Sequence, residues 1–267
     1  MTNTTPDKAP ALGRRPEFPD GVALVIGGSG GIGSAICSAL ARAGTDVALT
    51  YRNNQAAALQ VVEAVTAQGR GANCYPLSLE NSADVDRVVS QIIAEHSRIH
   101  TVINAAGTTI PMTYIGDLAA EKWREVMHLD ADGFFNLVKG TLPHLRKLGG
   151  SYVQIGTVAL TRWATRDVLS AAPKAAIDAL MTGIAREEGR SGVRANTVAL
   201  GLINAGMALR FKGNEYDEGY FKAASRNTAL KRLGTAEEVA DSVVFFGSNR
   251  ATYLTGQTLL LDGGYSL

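Results

Sequence analysis

Short runs of apolar, β-branched residues alternate along this chain with longer segments whose apolar positions recur every three to four residues. The first pattern describes strands buried on both faces and the second describes amphipathic helices. Together they predict an α/β fold, a parallel sheet covered by helices on both sides. Strands are expected at 22–26, 47–51, 73–77, 101–104, 152–155, 193–198 and 258–261, and helices at 34–43, 56–68, 83–95, 123–148, 175–188 and 236–247. Gly44 and Gly69 terminate the first two helices, and Thr235-Ala236-Glu237-Glu238 has capping-box spacing. Pro143 is expected to kink or stop the long 123–148 helix, because proline lacks the N–H of the helical ladder.

The rhythm breaks over 201–232, where no strand pattern occurs and Gly206, Gly213 and Gly219 are mixed with Phe211, Tyr216, Tyr220 and Phe221. Such a stretch is expected to form a mobile lid with an aromatic inner face. Residues 1–20 hold Pro6, Pro10, Pro16 and Pro19 among polar residues and are expected to be a loose tail, leaving 21–267 as one domain.

The sharpest chemical signal is the apolar strand Val22 to Ile26 running into Gly27-Gly28-Ser29-Gly30-Gly31-Ile32-Gly33 and then a helix. Glycines there let backbone approach a pyrophosphate, and the helix N-terminus favours its charge, so the stretch predicts a dinucleotide site. Two registers are open: Gly28, Gly30 and Gly33 satisfy G-x-G-x-x-G, while Gly27, Gly31 and Gly33 satisfy G-x-x-x-G-x-G. At the end of the second strand Tyr51 is followed by Arg52 and Asn53. No acid is present there to accept from a ribose 2′-hydroxyl, whereas a guanidinium and an amide suit a 2′-phosphate, so NADP(H) is expected over NAD(H).

Composition narrows the partners. With 46% hydrophobic and 19% charged residues, a net charge of +1 and no basic stripe, neither nucleic acid nor an anionic membrane is an expected partner. No apolar run of membrane-spanning length and no signal peptide is read. The two cysteines, Cys37 and Cys74, make neither a disulfide framework nor a metal spacing, so no metal is expected and a cytoplasmic location is.

Four segments, Gly27 to Gly33, Asn104-Ala105-Ala106-Gly107, Val193-Arg194-Ala195-Asn196 and Leu254-Thr255-Gly256-Gln257 through Asp262-Gly263-Gly264, stand in a familiar order and spacing. From about Val22 to Gly264 the chain resembles the short-chain dehydrogenases/reductases. The resemblance implies a doubly wound, Rossmann-like domain and selects the Gly27, Gly31, Gly33 register, with Ser29 and Ile32 completing the phosphate turn. It further implies that Asn104 steadies the central sheet, that Ala105, Ala106 and Gly107 follow the adenosine ribose, and that Ser78 and Leu79 border the adenine. An aspartate is usual in the family where Ser78 stands. At the nicotinamide end the resemblance implies contacts from Lys174 and Ile203, although Leu200 replaces the usual proline and Ala205 lacks a common hydroxyl.

In that family a tyrosine four residues before a lysine protonates the substrate oxygen, a serine orients the carbonyl, and an asparagine holds a water in the proton relay. The matching segment here is Ser170-Ala171-Ala172-Pro173-Lys174, so Ser170 takes the tyrosine position, with Thr157 at the serine site and Asp130 at the asparagine site. An aliphatic hydroxyl is far less acidic than a phenol of pKa ~10, so Ser170 can orient a substrate but hardly protonate it. Thr157 keeps a donor hydroxyl. Asp130 can pair with Lys174 or, if desolvated, act as an acid. Family members with serine at this position take a tyrosine from just after the preceding strand. The matching position here is near Ala159 and carries none, which leaves Tyr114 as the candidate.

These readings lead to an NADPH-dependent oxidoreductase reducing a carbonyl, imine or activated double bond of a small, largely apolar molecule. The alternatives are a non-redox cyclase or isomerase on the same fold, or a catalytically silent cofactor-binding protein. Tyr114, Arg162, Trp163, Arg166 and Asp167, with Met207, Phe211, Tyr216 and Tyr220 of the lid, are expected to line the substrate pocket, the arginines suiting a carboxylate or another electron-rich group. By resemblance, the 123–148 and 175–188 helices are expected to pair across subunits of a homodimer or homotetramer, with Phe134, Phe135, Leu137 and Leu145 supplying apolar surface.

Overall fold

A computed structural model describes residues 16–206 and 218–267. Met207, Phe211 and Tyr216 of the expected lid lie outside the described residues. Among those described, seven parallel strands form one sheet in the order β3-β2-β1-β4-β5-β6-β7. They are β1 (Val22–Ile26), β2 (Asp46–Tyr51), β3 (Ala72–Pro76), β4 (Ile99–Asn104), β5 (Gly150–Thr157), β6 (Val193–Leu200) and β7 (Thr258–Leu261). Alternate side chains of each strand enter separate cores. Ala23 and Val25 pack with α1 (Gly31–Arg42), α2 (Gln55–Thr66) and α8 (Ala236–Gly247), while Val22, Leu24 and Ile26 pack with α3 (Ser82–His96), α5 (Gly133–Leu148) and α6 (Val168–Glu188). Strand order reverses between β1 and β4, so the carboxyl ends of these two strands flank the crevice where such sheets bind ligands.

The structure corrects several expectations. The 123–148 segment begins as α4 (Ala120–Met127), passes through five residues of π geometry at His128–Asp132, and continues as α5. Pro143 lies inside α5 without ending it, since the carbonyl it leaves unpaired belongs to Lys139, and both residues are exposed to water. Helix α6 starts at Val168, seven residues earlier than expected, with Pro173 inside it, so Ser170 and Lys174 both stand on helix. Its Val168–Ser191 stretch is long and apolar enough to pass as a membrane span, contrary to the reading of the sequence. In the fold, Ile177, Met181 and Ile184 are buried in the core, which accounts for that apolarity.

Two regions without a strand or helix pattern hold regular or docked structure among their described residues. Within 201–232 a helix, α7, covers Glu218–Arg226, and Ile203 bridges to Gly234, joining the ends of the stretch. Residues 16–20, expected in the tail, dock on the body: Phe18 is buried, and the Glu17 carbonyl accepts from Asn249 N at 2.8 Å. Of the four residues expected to offer α5 surface for assembly, Phe134, Leu137 and Leu145 belong to the core and only Phe135 is exposed. Cys37 and Cys74 are free thiols, and burial pushes the Cys37 thiol well above its usual range.

Candidate active site

The turn between β1 and α1 is built where side chains cannot fit. Gly27 adopts a φ of 73° and donates its N–H to Thr50 Oγ1 of β2 at 3.2 Å. A Cβ on Gly33 would stand 2.2 Å from the Gly27 carbonyl oxygen, and one on Gly28 would stand 2.6 Å from Leu49 Cβ. Gly27, Gly28 and Gly33 are thus all demanded by packing, which neither spacing pattern alone conveyed. A Cβ on Gly31 would lie 3.0 Å from the Gly206 nitrogen, so the chain after β6, with buried Ile203, passes over the start of α1 beside Ser29 and Ile32. Bare backbone opening a 12-residue helix fits the pyrophosphate of a nicotinamide dinucleotide.

Arg52 and Asn53, expected on the adenosine side of this turn, are exposed at the end of β2. The Arg52 guanidinium stands 3.7 Å from Glu80, an exposed pair of the kind that contributes little. Ser78 and Leu79 follow β3, and Asn136 of α5 fixes them by donating to the Leu79 carbonyl at 2.9 Å. At the end of β4, Asn104 donates to Gln154 Oε1 of β5 at 2.9 Å, and Ala105 N donates to the Ile26 carbonyl at 3.0 Å. Ala105, Ala106 and Gly107 therefore leave the sheet directly beside the glycine turn.

Beyond Gly107 the reacting end takes shape. Asp130 projects from the π turn, and its Oδ1 accepts from Thr108 Oγ1 at 2.6 Å and Thr108 N at 3.2 Å. Asp130 and Lys174 line one cleft with Leu79, Asn104, Ala106, Leu129, Gln154 and Ile177, about 20 Å³ in volume, enough for a water molecule. The ion pair considered between them is not formed among the described residues; the Asp130 carboxylate instead accepts from Thr108. Thr157 ends β5, where its Oγ1 accepts from Ala159 N at 3.2 Å, leaving its proton for another acceptor. Ser170 lies one turn before Lys174 on α6.

The outer residues are more scattered. Tyr114 and Trp163 are exposed, and Arg162 donates to the Tyr265 carbonyl with its guanidinium 4.6 Å from that ring's centroid. Arg166 has a φ of 70°, donates to the Met112 carbonyl at 2.7 and 3.0 Å, and lies 5.9 Å from the centre of the Tyr114 ring. Thr108 and Gln154, which hold Asp130 and Asn104, were missed from sequence because no local pattern marks such distant partners. Asp167 was read only as pocket wall. Because α6 begins at Val168 and not at Ala175, Asp167 at its N-cap, Ser170 and Lys174 stand on one helix.

Comparison with known proteins agrees with this fold. Residues 27–266 match the family model described as enoyl-(acyl carrier protein) reductase. The chain is 31% identical over 248 residues to the uncharacterized oxidoreductase YgfF of Escherichia coli, covering 91% of this chain and 99% of that protein. It is 32% identical over 250 residues to a peroxisomal 2,4-dienoyl-CoA reductase of Danio rerio, covering 92% and 81%. A short-chain type dehydrogenase/reductase structure from Mycobacterium ulcerans superposes with a TM-score of 0.86 at 30% identity, covering 94% of this chain and 91% of that one. With the glycine turn, the strand order and these relatives in agreement, the chain belongs to the short-chain dehydrogenase/reductase family of nicotinamide-dependent oxidoreductases.

Proposed function

We propose that this protein is an NADPH-dependent reductase acting on a carbonyl, imine or activated double bond of a small, largely apolar molecule, with an atypical catalytic set. The observation that carries the reading is the convergence of the glycine turn, Asn104 and Lys174 on one crevice at the carboxyl ends of β1, β4 and β5. When bound, the reduced nicotinamide supplies hydride to the electrophilic carbon. Lys174, which makes no hydrogen bond or ion pair among the described residues, holds the nicotinamide ribose, and the Thr157 hydroxyl donates to the substrate carbonyl. Ser170 stands in place of the family's tyrosine and orients substrate. Gly27, Ser29, Gly31, Ile32 and Gly33 cradle the pyrophosphate, and Arg52 with Asn53 takes the 2′-phosphate. Tyr114, Trp163 and Arg166 border the substrate, while Arg162, engaged with Tyr265, turns to it only by leaving that contact. The enzyme works in the cytoplasm as a homodimer or homotetramer.

The test is consumption of NADPH by purified protein against ketones, cyclic imines and enones, followed by absorbance. Product formation without NADPH loss would favour a cyclase or isomerase. Arg52→Ala is expected to raise the Kd for NADPH about tenfold, roughly 1.4 kcal/mol, and to leave that for NADH unchanged. Competitive titration of both cofactors checks this, and equal affinities in the parent protein would remove the preference.

A further inference from the structure

We infer that the Asp167 carboxyl gives the substrate oxygen its proton, supplying the acid that Ser170 is not; this rests on the carbonyl-reductase reading above. Asp167 stands at the start of α6, three residues before Ser170 and seven before Lys174, a spacing that places the three on one helix face. Its backbone is fully engaged, the carbonyl accepting from Ser170 N and Ala171 N, both at 3.0 Å. Its side chain is not. It forms no cap on α6, and among the described residues it has neither a hydrogen bond nor an ion pair, although the residue is half buried.

The neighbouring carboxylates are already used. Asp130 accepts from Thr108, and Asp178, one turn beyond Lys174, accepts from Thr197 Oγ1 at 2.9 Å. A half-buried carboxyl without donors is unfavourable as an anion and acceptable as a neutral acid. Burial accordingly raises the Asp167 pKa to about 6, against the pull of the Lys174 ammonium. Of the other charges on elements packed around the start of α6, those of α4 form exposed pairs among Glu121, Lys122, Arg124 and Glu125. Asp130 is held by Thr108, and the Arg166 guanidinium is directed to Met112 and Tyr114, so Lys174 is the charge that acts on Asp167.

The step balances as an ordinary reduction. The carbonyl carbon gains hydride from the reduced nicotinamide, its oxygen takes the carboxyl proton, and the products are an alcohol, the oxidised nicotinamide and the Asp167 carboxylate, which regains a proton from solvent. A carbonyl oxygen that accepts from Thr157 and takes its proton from Asp167 would need no phenol.

Asp167→Asn is the test, measured with a ketone that the parent protein reduces. It is expected to lower kcat about 100-fold and to abolish the fall in kcat expected of the parent as pH rises through about 6. NADPH affinity by fluorescence should stay within about twofold, and the melting temperature at neutral pH should hold or rise because a buried charge is removed. Infrared difference spectra of parent against variant should show a protonated carboxyl lost near pH 6 whether or not substrate is present. A variant that retains kcat within threefold, or keeps the same pH limb, overturns the role of Asp167 and leaves the reductase reading standing. A parent protein that binds NADPH but reduces no ketone, imine or enone overturns both.

Discussion

Lys174→Ala is expected to weaken NADPH binding by about tenfold or more and to lower reductase turnover by roughly 100- to 1,000-fold, the range in which loss of a positioned charged group falls. The expectation rests on where the side chain is and on what it does not touch. Lys174 rises from α6 into the cleft shared with Asn104, Asp130 and Gln154, and among the described residues no carboxylate lies within ion-pair distance. A half-buried ammonium with neither a hydrogen bond nor an ion pair among the described residues is set to take its hydrogen bonds from a ligand, and ribose hydroxyls suit it. Lys174→Arg should recover part of the affinity and little of the rate, since a planar fork cannot occupy the same point. Ser170→Ala should cost much less than Lys174→Ala, because a poor acid contributes little proton transfer. Fluorescence titration of NADPH and steady-state kinetics check all three. A Lys174→Ala protein that binds and turns over like the parent would contradict the site as described.

Gly33→Ala is expected to be the most damaging single change to the fold. Its new methyl would lie 2.2 Å from the Gly27 carbonyl oxygen and 2.8 Å from Gly28 Cα. Both obstacles are backbone. Gly27 is tied to Thr50 of β2 and Gly28 is pressed against Leu49, so neither can retreat without breaking the β1–β2 contact. Overpacking of this severity costs about 3 kcal/mol, which in a domain of this size lowers Tm by roughly 6–12 °C. Displacing the turn also removes the cradle for the pyrophosphate, so NADPH binding should disappear along with the stability. Gly183→Ala provides the contrast: its Cβ would meet nothing within 4 Å, and it lies inside α6. There the substitution should be neutral or stabilise by about 0.5–1 kcal/mol, through helix propensity and a less flexible unfolded chain. Thermal unfolding of the two variants side by side is the measurement.

The two variants separate two kinds of information in this chain. What the sequence by itself determined is whatever depends on neighbours a few residues apart: the alternation of strand and helix, the capping box at Thr235, the glycine turn, and the absence of an acid after β2. Apolar periodicity is local, and it sufficed for seven parallel strands with helices on both faces, which the structure has among its described residues. Tertiary structure decided what depends on partners distant along the chain. Asp130 meets Thr108 rather than Lys174 because the π turn and the loop after β4 come together there. Phe134, Leu137 and Leu145 turn inward because α5 has both α3 and the sheet to cover. Arg162 is drawn to Tyr265, 103 residues away, and α6 runs through Pro173 to begin at Val168. That last shift aligns Asp167 with Ser170 and Lys174, an alignment that exists only once the helix start is known, because a shared helical face is a property of folded backbone and not of spacing alone.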